Sequence, residues 1–131
     1  MTIVDTSVWI DFLEGGNHWT KARLKEKLND RESILYNEMI LLEIIQGIRE
    51  RKGREEIERM FCSLVLAPQK RSTTLLAAEI YQELQRKGLR IRSVIDCLIA
   101  ATAIETGAAI LHKDRDFEFI AEHYPIIAEK E

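Results

Sequence analysis

Short, almost wholly apolar runs alternate along this chain with longer segments of helical spacing, and this alternation restricts the fold more than any other feature. The apolar runs predict strands at residues 2–4, 33–36, 63–66, 109–111 and 125–127. Strands without a polar face are typical of parallel sheets covered on both sides, and strands that alternate with helices indicate an α/β domain. We therefore expect a three-layer α/β/α domain with a central parallel sheet of four to five short strands.

Apolar spacing and chain-breaking residues predict the helices between these strands. Asn37 is expected to cap a helix at about 38–51, and Gly53 is expected to separate it from a second helix that carries Ile57 and Phe61. The remaining helices are predicted at residues 8–13, 19–28, 72–87, 94–106 and 117–122.

Length and composition describe one globular domain, residues 1–131. Hydrophobic residues make up 46% of the chain and charged residues 31%, which excludes a disordered protein. No apolar stretch approaches the roughly 18 residues of a membrane span, and the amino terminus does not resemble a secretory signal.

The two cysteines form no CxxC motif, so we expect reduced thiols in a cytoplasmic protein without membrane association. The net charge of −3 argues against a module that binds nucleic acid by charge alone, but not against a nucleic-acid enzyme.

Four carboxylates interrupt or end apolar runs: those of Asp5, Glu43, Asp96 and Asp114. Burial of an unpaired carboxylate is costly, so such groups persist when they are neutralised, hydrogen-bonded or bound to a metal. Asp5 and Asp114 follow predicted strands, whereas Glu43 and Asp96 lie early in predicted helices. Strand ends and the helix starts that follow them share one edge of a parallel sheet, where open α/β sheets place their sites. We therefore expect the four acids to converge on one cleft.

Several of these acids also have a purely structural explanation. Ser93 and Asp96 have the spacing of a capping box. Asp5 and Asp116 can each cap the helix that follows. Glu43 is the hardest to explain in this way, because its helix has almost no other polar face. A further group of acids fits solvated helix faces: Asp11, Glu79, Glu83, Glu118 and Glu122.

A carboxylate cluster without cysteine or paired histidines selects a hard cation. Oxygen ligands suit Mg²⁺, for which Mn²⁺ substitutes, whereas zinc sites usually contain cysteine or histidine. One or two such ions polarise a phosphodiester and activate water. The cluster therefore favours metal-dependent hydrolysis of phosphodiester bonds, with Asp96 and Glu43 as alternative proton acceptors.

Four short blocks contain these acids and follow one another over essentially the whole chain. They are residues 4–9 (VDTSVW), Leu42-Glu43 with Gly47, residues 96–103 (DCLIAATA) and residues 111–117 (LHKDRDF). Together they resemble the PIN-domain nucleases, and within them the VapC-type ribonuclease toxins of toxin–antitoxin pairs. The resemblance implies an RNA substrate, a homodimer and a small antitoxin whose carboxyl-terminal segment blocks the cleft. It also implies a PIN-like fold whose metal is held by Asp5, Glu43, Asp96 and Asp114, with Asp116 as an auxiliary ligand.

One position departs from the family pattern. The family usually has a small hydroxyl residue two positions before the fourth acid, and here that residue is His112. The histidine either removes a hydrogen bond or places an imidazole beside the metal.

Candidates for substrate binding lie beside two of the acids. Thr6 and Ser7 are expected to orient Asp5 or a phosphate, with local helix capping as the alternative. Arg90 and Arg92 shortly precede Asp96 and are candidates for holding RNA phosphates. The alternative for both arginines is that they are solvated loop charges.

The leading hypothesis is a Mg²⁺- or Mn²⁺-dependent endoribonuclease that hydrolyses RNA phosphodiester bonds and acts as the toxin of a type II toxin–antitoxin system. The alternative is a catalytically silent PIN-like module that binds RNA or a protein partner. A phosphatase with Asp5 as nucleophile is disfavoured, because such enzymes carry a second acid two residues later, and here that residue is Ser7.

Overall fold

A five-stranded parallel sheet forms the centre of the protein. The computed structural model describes residues 1–91 and 93–131. The spatial order of the strands is β3-β2-β1-β4-β5, so the first strand of the chain lies in the middle. The bounds are β1 Thr2–Val4, β2 Ile34–Tyr36, β3 Val65–Leu66, β4 Ala109–Leu111 and β5 Ile127–Ala128. The three-layer α/β/α architecture and the parallel sheet confirm the fold expected from the alternating pattern.

Helices connect the strands and cover the sheet. In the described part of the chain, α1 packs against α2 and α3, while α6 packs against α5 and α7. The bounds are α1 Thr6–Glu14, α2 Trp19–Asn29, α3 Glu38–Gln46, α4 Arg51–Phe61, α5 Arg71–Arg86, α6 Val94–Thr106 and α7 Asp116–Ala121. No helix in the described ranges is both long and apolar enough to cross a membrane.

The helix predicted at about 38–51 is wrong in its length. It ends at Gln46, and the backbone N–H of Gly47 turns back to the carbonyls of Ile44 and Ile45. The next helix begins at Arg51 and contains Gly53, which was expected to precede it. A Cβ on Gly53 would lie 3.2 Å from the Cγ2 of Ile48, so the missing side chain permits close packing there.

The core lies on both sides of the central strands. Ile3 and Val4 of β1 are completely buried beside Ile110 and Leu111 of β4. Trp9 is also completely buried, and its ring centroid lies 4.9 Å from that of Phe61. Helix α6 is buried on almost every side, since each residue from Asp96 to Ala103 is buried. An acid in the first turn of this helix is therefore removed from bulk water by the fold itself.

Candidate metal centre

The candidate centre lies at the carboxyl edge of the sheet, where the strand order reverses around β1. Parallel α/β sheets open a crevice at such a point, because successive connections leave in opposite directions. Asp5 directly follows β1, and its backbone N–H donates to the carbonyl of Leu111 at the end of β4, at 3.0 Å. The first acid is thereby fixed beside the loop that carries Asp114 and Asp116.

Asp5 caps a helix and lies close enough to other acids for their charges to act on it. Its carboxylate accepts hydrogen bonds from the backbone N–H and the hydroxyl of Ser7, at the first turn of α1. The side chain is nevertheless buried, and burial raises its pKa against the opposing effect of the Ser7 hydrogen bonds. The charges of Asp114 and Glu43 raise it further. Asp5 therefore caps α1, which is the structural role expected for it, and lies outside the group of Asp96, Asp114 and Asp116 described below.

Glu43 is held by Thr6 across the gap between two helices. The Thr6 hydroxyl donates to Oε1 of Glu43 at 2.7 Å, which connects the first residue of α1 to the middle of α3. Thr6 is buried and Glu43 is half-buried. The contact of Ser7 with Asp5 agrees with the orienting role expected for it, whereas Thr6 was expected to orient Asp5 or a phosphate and orients Glu43 instead.

Three further acids bring their carboxylates together. One oxygen each of Asp96, Asp114 and Asp116 lies within 4.8 Å of the others. The backbone N–H of Asp116 donates to Oδ1 of Asp114 at 3.0 Å, which fixes the turn between them. Ser93 caps α6 by accepting from the N–H of Ile95 at 3.1 Å. Within the described residues, Oδ2 of Asp96 is buried without a hydrogen-bond partner.

Burial and neighbouring acids disfavour the charged form of Asp96. Burial, followed by the charges of Asp5, Asp114 and Asp116, raises the pKa of Asp96 to about 8. The adjacent Cys97 thiol is completely buried, and burial together with Asp96 raises its pKa to about 12. Cys97 is therefore an inert core residue, and the site is one that a cation would stabilise.

His112 lies beside this cluster without joining it. Its half-buried ring packs against Phe117 with a centroid distance of 4.9 Å, and burial lowers its pKa. The ring lines a cavity together with His18, Trp19 and the last residues of the chain. Among the described residues, the possible metal-binding group consists of Asp96, Asp114 and Asp116 and contains no imidazole.

The structure describes one of the two arginines that were expected to hold RNA phosphates. Arg90 is exposed and lines a cavity of about 260 Å³ with Tyr81 and Leu89. Arg92 lies outside the described residues.

The sequence prediction for Asp11 is wrong. Asp11 was assigned to a solvated helix face, but its side chain is only 15% exposed and pairs with Lys113 at 3.1 Å. Lys113 directly precedes Asp114 in the chain, so this ion pair is part of the surroundings of the site. The sequence does contain one indication of this ion pair: Lys113 lies between the apolar strand β4 and Asp114, where its charge needs a partner.

Comparisons with known proteins agree with this geometry. The family model described as PIN domain matches residues 2–122. Ribonuclease VapC11 of Mycobacterium tuberculosis is 33% identical over 123 residues, with 92% of each chain covered. Ribonuclease VapC19 of the same organism is 31% identical over 117 residues, with 85% of this chain and 86% of that protein covered.

Solved structures of similar fold are found among toxin–antitoxin complexes. VapBC2 of Rickettsia felis, bound to a DNA fragment from its promoter, superposes with a TM-score of 0.75 at 19% identity. VapBC-1 of nontypeable Haemophilus influenzae gives a TM-score of 0.75 at 15% identity. Both matches cover 98% of this chain and 96% of the other. These structures show the same fold, and the family model and the curated relatives show that this chain belongs to the PIN domain family, among its VapC-type members.

Proposed function

We propose that this protein is an endoribonuclease that depends on a divalent cation, Mg²⁺ or Mn²⁺, and hydrolyses RNA phosphodiester bonds. One observation carries the proposal: the buried Asp96 brings one carboxylate oxygen within 4.8 Å of oxygens of Asp114 and Asp116, and its Oδ2 has no hydrogen-bond partner in the described residues. The relatives at 31–33% identity are named ribonucleases, which supports the same reaction.

The donor set fits a hard cation. Every candidate ligand is a carboxylate oxygen, and oxygen-only sites suit Mg²⁺ and Mn²⁺. Burial and the charges of Asp5, Asp114 and Asp116 raise the pKa of Asp96, which disfavours its ionised form. A cation within the cluster would remove this repulsion. We assign the ligands to Asp5, Glu43, Asp96 and Asp114, with Asp116 as an auxiliary ligand.

A cation held by these acids would supply polarisation of a phosphate group and activation of water for attack. The chain's own residues supply orientation. Ser7 fixes the carboxylate of Asp5, Thr6 fixes that of Glu43, and the Asp116 N–H fixes that of Asp114. Asp96 and Glu43 are the alternative proton acceptors; for Asp96 the raised pKa of about 8 suits that task, since a general base works best with a pKa near the working pH.

The proposal includes a small antitoxin partner, a homodimer and a cytoplasmic location. Several solved structures of similar fold are toxin–antitoxin complexes, which supports the partner.

An apolar groove of about 170 Å³ runs between α1 and α3, and Glu43 forms part of its wall. A partner segment seated there would cover one of the proposed ligands. The groove is lined by Ile10, Leu13, Glu14, Glu43, Ile44, Gly47 and Ile48.

The second candidate function is a catalytically silent module that binds RNA or a protein. The complete set of acids weighs against it, because a module without catalysis gains nothing from costly buried carboxylates.

The test uses purified, partner-free protein and a mixed RNA pool, with Mg²⁺, with Mn²⁺ and with chelator, beside Asp96→Asn. We expect cleavage that needs both the metal and Asp96. Lys25→Gln, on the exposed face of α2, is the matched control and should cleave like the wild type. Cleavage in chelator, or full activity of Asp96→Asn, would contradict the proposal. Folded protein that binds Mn²⁺ but cleaves no RNA would support the silent module.

A further inference from the structure

We propose that Asp11 and Lys113 form a positioning pair that holds the loop carrying Asp114 against α1 and so sets the geometry of the metal centre. This inference rests on the proposed function, since it concerns the cation that the acids would hold. Neither residue is itself a candidate metal ligand. Their role would be exerted through the backbone next to Asp114.

The ion pair joins two elements that carry different parts of the site. Helix α1 begins with Thr6 and Ser7, which orient Glu43 and Asp5. Lys113 lies between β4 and α7, directly before Asp114. The Lys113 Nζ lies 3.1 Å from Oδ1 of Asp11, and the two side chains are 28% and 15% exposed. The pair therefore connects the Asp5 side of the site to the Asp114 side through a partly desolvated contact.

Gly16 makes room for this contact. A Cβ placed on Gly16 would lie only 1.8 Å from Oδ1 of Asp11, the oxygen that faces Lys113. The backbone N–H of Gly16 also donates to the carbonyl of Asp11 at 2.9 Å. The chain thus turns back at the end of α1 and leaves a space that the Asp11 carboxylate fills. Any side chain at position 16 would displace that carboxylate.

Stability alone does not account for the pair. Oδ2 of Asp11 is buried and has no hydrogen-bond partner in the described part of the chain. An ion pair that is largely removed from water gains little over apolar residues of similar size, because desolvation offsets the attraction. A carboxylate left half-satisfied is still less favourable. We infer that the pair is retained because it fixes the position of the Asp114 loop.

Two explanations of Lys113 predict opposite effects on cation binding. If its charge acts directly through space, Lys113 repels a cation beside Asp114, and removal of the charge should strengthen binding. If Lys113 positions the loop, its removal should weaken binding. The neighbours of metal ligands typically contribute about 10- to 100-fold to metal affinity. The direction of the change therefore separates the two explanations.

The experiment measures Mn²⁺ affinity by calorimetric titration for Asp11→Asn, Lys113→Met and Gly16→Ala, together with kcat and KM for RNA cleavage. We expect each variant to bind Mn²⁺ about 10-fold more weakly and to lose kcat with little change in KM. Gly16→Ala is the decisive variant, because it moves the Asp11 carboxylate without changing any charge. Lys25→Gln should bind Mn²⁺ like the wild type.

The double variant Asp11→Asn/Lys113→Met separates positioning from stability. Lys113→Met alone leaves a buried carboxylate unpaired and lowers the melting temperature, and the double variant should restore it. Its Mn²⁺ affinity should stay as weak as that of the single variants, because the connection between the loop and α1 is still broken.

Several outcomes would overturn the inference. Tighter Mn²⁺ binding by Lys113→Met would show a through-space charge effect. Unchanged affinity in Gly16→Ala, or an affinity that recovers with stability in the double variant, would show a structural role only.

Asp114→Asn distinguishes these failures from failure of the proposed function. If Asp114→Asn binds Mn²⁺ like the wild type, the metal centre itself is wrong; if it loses binding while the pair variants do not, only the positioning role is wrong.

Discussion

The surroundings of Asp96 disfavour its negative charge. It lies in the first turn of α6, where the helix dipole favours a negative charge, yet burial and three neighbouring acids outweigh that effect. An unperturbed aspartate has a pKa near 3.9. In the metal-free folded protein, Asp96 therefore keeps its proton over a pH range in which the unfolded chain has released it.

This difference predicts how stability depends on pH. From about pH 4 to about pH 8 the folded state binds the extra proton, so the free energy of unfolding should fall as pH rises. Asp96→Asn cannot ionise and escapes this loss. Each unit of pKa difference corresponds to about 1.4 kcal/mol, so the variant should exceed the wild type by about 2 kcal/mol or more at pH 8 and by much less at pH 4. Denaturant unfolding in chelator at both pH values measures the difference, and a gain independent of pH would contradict it.

The hydroxyls of Thr6 and Ser7 show how far residue-level reasoning extends. Their position after Asp5 predicted an orienting role, and the Ser7 contact follows from local capping. The contact of Thr6 with Glu43 joins residues 37 positions apart. Only the packing of α1 against α3 brings them together, and no local pattern encodes that distance.

At the scale of elements, α6 allows the effect of a substitution on stability to be distinguished from its effect on the metal centre, because only one end of the helix carries a proposed ligand. Ser93 caps the end that carries Asp96, whereas Gly107 ends the other with a φ of +76°. Ser93→Ala should cost about 1 kcal/mol through the lost cap. Gly107→Ala should cost a similar amount, about 1 kcal/mol, because an L side chain disfavours left-handed backbone.

These two variants should differ in Mn²⁺ affinity. Ser93→Ala loosens the turn that holds Asp96 and should weaken binding, whereas Gly107→Ala lies three turns away and should leave it unchanged. Thermal unfolding and Mn²⁺ titration on the same samples provide the comparison. Equal losses of Mn²⁺ affinity in both variants would show that general destabilisation, rather than the position of Asp96, controls binding.

The predicted elements differ in accuracy for physical reasons. Helix α6 was predicted with the observed bounds, because Ser93 and Gly107 mark both ends and its interior is continuously apolar. The break between α3 and α4 was placed at Gly53 instead of residues 47–50, since glycine is a poor helix former. Tertiary packing against Ile48 favours a glycine at that position inside α4, and sequence alone does not show such a contact.

For the whole molecule, cation binding should appear as added stability. A ligand that binds only the folded state stabilises it by about 2.7 kcal/mol at a concentration 100 times its Kd. Mn²⁺ should therefore raise the melting temperature, and chelator should reverse the rise. Asp114→Asn should lose most of the rise, while Lys25→Gln should keep it. An equal Mn²⁺-dependent shift in Asp114→Asn would indicate binding elsewhere.

The fold and the proximity of the acids could be predicted from the sequence, because both follow from the order of strands, helices and acids along the chain. Apolar runs identify the strands, and the acids follow strands or begin helices at a shared edge. The ion pair of Asp11 with Lys113 was not predictable in this way. It depends on a space left by Gly16 and on the contact of α1 with the loop before Asp114, 102 positions apart in sequence, which becomes visible only once the chain is folded.

The strand order also determines when a growing polypeptide could first become active. Strand β1 is the first to be synthesised, yet one of its edges stays open until residues 109–111 are available to pair with it. Asp5 and Glu43 are made early, whereas Asp96, Asp114 and Asp116 all belong to the last third of the chain. A product that ends before residue 114 therefore lacks Asp114 and Asp116 of the proposed ligands. Such products would not be active as a nuclease, and a partner translated alongside would have that interval in which to fold.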